Sequence, residues 1–418
     1  MLSKTDAEGV RAHNRRIVIE HLRVRRRTTR RAAADATGLS LSSAAAITSA
    51  LIRNGLVREI PEAEEDAPLA RVGRRGRPER RIALLGEAAY VIAARVAVGE
   101  IAVRLSDYAG TSLAEATRET SIAGFDADAI AGVIAALIET VASEARLASC
   151  DRIGRIGRIV VAVQGKVDTS RGSIVWSPAL KTRNIEIGPA IEARTGIGVG
   201  VENDCSLMPE GFRWDGSSVR SGLATILIGF GVGMGIAVAG DPFTARQRAS
   251  TEFGHINHYP GGALCRCGNR GCVEAYAADY AILRSAGGAP PDEIIARRID
   301  ESLMHAIADR ARAGEAQAAG AFETAGLALG YGLGRVFTLI DPLPLVFTGS
   351  GSHAMDLLEP SIRRGIAESA VAGEGADVPF TVVEDADALI FDAATNRALG
   401  DLDQVFAASE RETRDAAE

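Results

Sequence analysis

Three cysteines, Cys265, Cys267 and Cys272, fall within eight residues, and His255 lies ten positions before the first. Cys-x-Cys-x4-Cys plus one histidine supplies three thiolates and an imidazole, the donor set of a closed tetrahedral Zn²⁺ site. Gly268 and Gly271 let the backbone turn tightly enough to bring three sulfurs onto one ion. Three unrelated buried thiols and a core histidine would give this spacing only by coincidence. Four protein donors leave no open position for an activated water, so the zinc is expected to be structural. Its role would be to pin the loop that carries Glu252, His255 and Glu274.

The same string, Glu252-Phe253-Gly254-His255 and then Cys265-Arg266-Cys267-Gly268-Asn269-Arg270-Gly271-Cys272-Val273-Glu274, resembles the signature of the ROK family of bacterial sugar kinases and sugar-responsive repressors. The resemblance runs from about Asn14 to about Gly351. It implies an α/β protein with an N-terminal winged helix-turn-helix and a two-lobed, actin/hexokinase-like (ribonuclease H-like) body, with ligand in the cleft between the lobes. In that family the two glutamates accept hydrogen bonds from sugar hydroxyls, and the histidine bridges the zinc site and the sugar pocket. Glu202-Asn203-Asp204 resembles the family's Glu-Asn-Asp, whose aspartate is the kinases' general base and whose asparagine binds a neighbouring hydroxyl. The implied ligand set is Asn203, Asp204, Glu252, His255 and Glu274. Carboxylates and an amide converging on one molecule suit a polyhydroxylated ligand, and a carboxylate can accept two hydroxyl hydrogen bonds without any catalysis.

The resemblance weakens where a kinase would hold nucleotide. With Asp107 as anchor, the kinases' Asp-x-Gly-Gly-Thr places its metal-holding aspartate on Arg95 and Gly-Gly-Thr on Ala97-Val98-Gly99. An arginine cannot hold Mg²⁺, and Ala97 and Val98 crowd the backbone where a phosphate must approach. In the second phosphate loop, Gly229 to Gly235, the family's threonine is Phe230, and a glycine-rich hairpin kept for its shape is the simpler reading. Gln164 and Ala179 replace family residues near the sugar, so simple glucose-like recognition is not implied.

The elements that must position these residues need more than one domain. At 418 residues, two or three are expected: a head over 1–85, a first lobe over 86–200 and a second over 201–418, with a C-terminal helix returning to the first lobe. No apolar run reaches transmembrane length and the N-terminus lacks a signal-type apolar region, so a cytoplasmic protein is expected. Residues 1–85 hold 18 Lys/Arg against 10 Asp/Glu, a balance of +8, so the −7 of the whole chain leaves −15 for the rest. A basic head on an acidic body points the head at a polyanion.

Within the head, Ile17, Val18 and Leu22 give one helix an apolar face, Thr29 can cap a second, and Ser40 a third in which Ala44, Ile47 and Leu51 repeat. Gly38 supplies the turn between the last two. Leu56 to Ile60 and Arg81 to Leu84 read as the two strands of a wing. The third helix would enter the major groove with Ser42, Ser43, Ala46 and Ser49 outward, side chains too small for bidentate base contacts. Arg30 and Arg31 would touch phosphates. Arg74-Arg75-Gly76-Arg77-Pro78 resembles an AT-hook core, in which Arg75 and Arg77 would follow an A·T minor groove. The expected protein is a sugar-responsive repressor of carbohydrate genes, without enzymatic activity. It would act as a homodimer on a palindromic, A·T-rich site in double-stranded DNA. Two alternatives stay open: an ATP-dependent sugar kinase with an added head, and a zinc-stabilised interaction protein.

Overall fold

The computed structural model describes residues 7–61, 80–146, 155–215, 222–238, 252–294 and 299–408. Arg75, Arg77 and the tail from Ser409 lie outside them. The chain divides into two compact units, one of Met1–Glu202, Trp214–Gly216 and Ala394–Glu418, the other of Asn203–Arg213 and Ser217–Ala393.

The first unit opens with helices α1 (Ala7–Arg25), α2 (Arg30–Thr37) and α3 (Leu41–Arg53). The caps are those the side chains dictate: Thr29 accepts from the Ala32 amide and Ser40 from the Ser43 amide. Gly38, at φ 71°, closes α2. Short strands β1 (Thr28–Thr29), β2 (Val57–Glu59) and β3 (Arg81–Leu84) form an antiparallel sheet in the order β1-β3-β2. Val18, Leu22, Ala44, Leu51 and Ile82 fill its core.

A five-stranded sheet follows, built from β4 (Tyr90–Ala97), β5 (Glu100–Asp107), β6 (Ser112–Glu119), β7 (Ile156–Val163) and β10 (Val199–Asn203, whose last residue belongs to the second unit) in the order β10-β7-β4-β5-β6. β4 is an almost continuous apolar run, as a central strand buried on both faces must be. β6 is mostly exposed, with no contiguous apolar stretch, and sits at the edge. Helices α4 (Ala127–Glu144) and α5 (Ile187–Thr195) bury Ile130, Ile134 and Ile191 against β4, β5 and β7. The hairpin β8 (Lys166–Asp168) and β9 (Ser173–Trp176) stands apart from the main sheet.

The second unit holds a four-stranded sheet, β12-β11-β13-β14, formed by β11 (Leu223–Ile228), β12 (Val232–Ala237), β13 (Leu345–Thr348) and β14 (Phe380–Val383). β11 and β12 are an antiparallel hairpin, and the other pairings are parallel. The short helix α6 (Asp204–Leu207) packs on β12, and α7 (Glu274–Ala277), α8 (Asp279–Ala286), α9 (Glu301–Arg312), α10 (Ala316–Phe337) and α11 (Met355–Ser369) follow. Tyr280, Phe322, Leu329, Phe347 and Ile362 are among its fully buried core. The last helix, α12 (Ala386–Ala408), gives its first residues to this unit and the rest to the other.

Candidate metal centre and ligand cluster

All five residues of the expected ligand set lie in the second unit. Asn203 ends β10 and caps α6, accepting from the Ser206 amide at 2.8 Å. Asp204, the first residue of α6, is buried, and its carboxylate accepts from the Cys205 amide at 2.8 Å and from the Asn203 amide side chain at 3.1 Å. A carboxylate in the first turn of a helix is favourably placed against the peptide dipoles.

The glycines of the 229–235 stretch are explained by close approach. A Cβ on Gly233 would lie 2.2 Å from Cys205 Sγ, so only glycine lets α6 settle on β12. A Cβ on Gly231 would lie 2.9 Å from Glu274 Oε2. The stretch is thus a hairpin shaped to receive Cys205 and the ligand-cluster carboxylate Glu274.

Glu252, His255, Cys265 and Glu274 form one chain of contacts. His255 Nε2 is 3.9 Å from Glu252 Oε2, while its Nδ1 lies 3.8 Å from Cys265 Sγ. Cys265 in turn donates to Glu274 Oε1 at 3.4 Å. The imidazole therefore has one nitrogen turned to the sulfurs and the other to a half-exposed carboxylate. Burial pushes the Glu274 carboxyl above the usual range, against the opposing pull of His255. Cys205 lies beside both remaining carboxylates: burial raises its thiol, and Asp204 and then Glu252 add to the shift.

His255, Cys265, Cys267 and Cys272 keep their donor atoms within 4.8 Å of one another, so this cluster could hold a metal ion. A tetrahedral ion with bonds of about 2.3 Å to sulfur separates two sulfurs by about 3.8 Å. Cys267 Sγ and Cys272 Sγ are 3.8 Å apart. Burial raises the Cys265 thiol and pushes Cys272 up to about 11, so these two thiols resist ionising without a cation. Gly271 makes the loop possible: at φ 80°, its would-be Cβ falls 1.8 Å from the Tyr259 carbonyl oxygen.

Sequence reasoning overlooked Arg266. The residue between two of the cysteines sends its guanidinium between two rings, 3.9 Å from the Phe230 centroid and 4.2 Å from that of Tyr280, and donates to the Phe230 carbonyl. An arginine between two metal-type cysteines was the available signal; its ring partners Phe230 and Tyr280 lie 36 and 14 residues away and could not be read from spacing. In the first unit, Arg95 pairs with Glu100 across the β4–β5 turn, and Gln164 Oε1 accepts from the Val98 amide at 3.1 Å. Ala179 is buried, with its amide on Ser177 Oγ.

In the head, Ser42, Ser43 and Ala46 are exposed along α3 and Ser49 is half-buried. Arg31 is exposed, whereas Arg30 is half-buried and paired with Glu59 of β2 at 2.9 Å. That contact engages one of the five N–H donors of the Arg30 guanidinium.

The ROK family model matches residues 92–389, the five-stranded sheet, the hairpin and the metal-type cluster together. The chain belongs to the ROK family. Among relatives, a glucokinase of Streptomyces coelicolor is 28% identical over 249 residues, 54% of this chain and 76% of the relative. The Escherichia coli DNA-binding transcriptional repressor Mlc is 25% identical over 345 residues, 80% of this chain and 82% of the repressor. A crystal structure of a ROK family transcriptional regulator, a homologue of E. coli Mlc, shares the fold at a TM-score of 0.72 and 24% identity, covering 96% of this chain and 99% of that one. The mixed α/β body of this ROK chain is therefore actin/hexokinase-like. Among the described residues, no helix is long and apolar enough to cross a membrane.

Proposed function

We propose that the chain is a sugar-responsive DNA-binding transcriptional regulator, a repressor of carbohydrate uptake or metabolism genes. The observation that carries this reading is the assembly formed by the described residues between 7 and 84: three helices, two of them with side-chain caps, and a three-stranded antiparallel sheet ahead of a family match that begins at residue 92. It has the element order of a winged helix-turn-helix, with α3 as the recognition helix and β2–β3 as the wing. The repressor Mlc aligns with 80% of the chain and the glucokinase with 54%, which supports the same reading. Ser42, Ser43, Ala46 and Ser49 would face bases, with Arg31 on the backbone and Arg75 and Arg77 in the minor groove. Arg30 would serve mainly to fix β2 through Glu59.

The effector is a sugar or sugar derivative held by Asn203, Asp204, Glu252, His255 and Glu274. A structural zinc on His255, Cys265, Cys267 and Cys272 orients His255 so that its free nitrogen faces the effector. The protein acts as a homodimer on a palindromic, A·T-rich operator, and the effector changes DNA affinity only as far as it favours one conformer. Kinase activity is the second reading, and buried Asp204 at a helix start is the observation that favours it. Arg95, tied to Glu100, and Phe230, covered by Arg266, oppose it.

Capture of genomic fragments by the purified protein at physiological salt tests the proposal. A discrete palindrome near sugar transport or catabolic genes, released or retained by one monosaccharide, is the expected result. Sequence-blind binding that vanishes with salt, together with ATP-dependent phosphorylation of a sugar in a coupled assay, would replace it with the kinase.

A further inference from the structure

The donors of the metal-type cluster are not equally reachable. Cys265 and Cys272 are 0% and 1% exposed, whereas Cys267 is open to solvent. The difference comes from the turn that carries it. The Gly268 amide donates to the Cys265 carbonyl at 2.9 Å and the Cys265 amide to the Asn269 carbonyl at 2.9 Å, so Cys267 stands at the tip of a tight loop. Gly268 holds φ at 91°, and a Cβ there would meet nothing within 4 Å, so the tip is backed by open space.

The sulfurs also divide by what they face. Cys265 is turned to His255 Nδ1 at 3.8 Å and to Glu274 Oε1 at 3.4 Å, while Cys267 faces Cys272 with 3.8 Å between sulfurs. Cys272 is held in place, bridged to Asn257 and packed with Ala263, Cys265 and Ala275. A disulfide needs about 2.05 Å, so the two sulfurs must close by about 1.8 Å. The exposed turn can supply that movement without shifting the buried partner. A solvent-accessible cysteine beside a second, resolving thiol is the arrangement that reacts with oxidants.

We propose that Cys267 and Cys272 are a peroxide-reactive pair that closes reversibly into a disulfide and thereby opens the metal centre. The pairing stands on the cysteine geometry, and its consequence for the metal rests on the zinc reading above. The Cys267 thiolate attacks one oxygen of hydrogen peroxide: an S–O bond forms, the O–O bond breaks and hydroxide leaves, so sulfur is oxidised as peroxide is reduced. The Cys272 thiolate then attacks the Cys267 sulfur; an S–S bond forms, the S–O bond breaks and a second hydroxide leaves. Two thiolates and one peroxide give one disulfide and two hydroxides. Cys265 and His255 alone remain as donors, too few for a tetrahedral set. His255 is then released from the centre that orients it, so the effector site answers to oxidant as well as to sugar.

The test treats the reduced, full-length protein in thiol-free buffer with hydrogen peroxide, then follows it by alkylation, non-reducing peptide mapping and elemental analysis of the filtrate. The expected result is a Cys267–Cys272 disulfide within one chain, with about one zinc released per disulfide formed. Dithiothreitol and Zn²⁺ should restore both thiols and metal. Dimedone present during the oxidation should mark Cys267 first, as the sulfenic acid. A disulfide through any other cysteine, one between chains, or dimedone on Cys265 or Cys272 in place of Cys267 overturns the proposal. Peroxide-treated protein that keeps its thiols overturns it too, as does a Cys267–Cys272 disulfide formed with the metal retained. A protein that carries no zinc before peroxide removes the metal reading instead, and the peptide map still decides the pairing.

Discussion

Beside the hydrogen bond from Arg15 to the Ala407 carbonyl, a buried charge pair fastens α1 to α12, and breaking that pair from one side should loosen α1. Arg23 of α1 meets Asp403 of α12 through two parallel bonds, Nε–Oδ2 at 2.6 Å and Nη2–Oδ1 at 2.7 Å, with side chains 2% and 3% exposed. Arg23 also donates to the Tyr108 carbonyl at 2.6 Å and lies over the rings of Tyr108 and Trp214, while the Tyr108 hydroxyl donates to Asp403 at 2.7 Å. Every hydrogen-bonding group of the pair is therefore answered within the node. Asp403→Leu leaves a guanidinium in an apolar site with no counter-charge, at a cost of about 3–5 kcal/mol. Arg23→Met/Tyr108→Phe/Asp403→Leu removes the charges and the orphaned hydroxyl together and should fall within about 1 kcal/mol of wild type. With two units, a single unfolding free energy is ill defined, so the readout is hydrogen exchange of α1 amides in the intact protein. Asp403→Leu should speed exchange there by roughly two to three and a half powers of ten, and the triple variant should restore protection. An effect below about 1 kcal/mol in the single variant, or a triple variant as exposed as the single one, would refute this account of the node.

Elemental analysis of the purified protein should find zinc at one equivalent per chain, and Cys267→Ser should lower that content and the melting temperature together; a folded protein without metal counts against the centre. Gly233→Ala drives a methyl group into Cys205 Sγ and should lower the melting temperature, with partial relief from an added Cys205→Ala. No such relief would mean that the strain lies elsewhere. His21, His258 and His353 are each made less basic mainly by burial, so their folded pKa values lie below the 6.5 of the open chain. The unfolded chain binds protons first: the stabilisation is fully present above about pH 6.5 and is lost as pH falls through the folded values. Melting temperatures measured from neutral pH downward should therefore decline, and His258→Gln should flatten the decline.

The parts legible in the sequence were those written in local spacing. Thr29 and Ser40 announce helix starts because a cap needs only its own next three residues, and both cap as the side chains dictate. The cysteines and His255 announce their cluster because metal ligands recur at short intervals. β6 escaped notice because an edge strand buries too little to need an alternating pattern. In the last third of the chain the helix over Ala316–Phe337 and the strand Leu345–Thr348 were legible, but what packs on the helix was not. α10 carries Gly326 and Gly330, each of which disfavours a helix by about 1 kcal/mol when judged from sequence. In the fold, a Cβ on Gly330 would lie 2.3 Å from the Ile362 carbonyl oxygen and one on Gly326 2.7 Å from that of Leu358, so the glycines let α10 and α11 touch backbone to backbone.

Glycine is thus the residue whose local reading misleads most in this chain. The same Gly-x-Gly-x-Gly that resembles a phosphate loop serves to admit a thiol and a carboxylate, because the absence of a Cβ says that something comes close but not what. The Arg23–Asp403 pair is the extreme case of the same limit. Its partners stand 380 residues apart, and nothing in the neighbourhood of either one names the other. An arginine inside a basic run reads as one more phosphate contact; only its burial at a helix–helix contact sets it apart from Arg25 two positions later, which stays exposed. Two arginines on the same helix, separated by a single residue, thus differ in kind: Arg23 is buried in the node, and Arg25 is exposed.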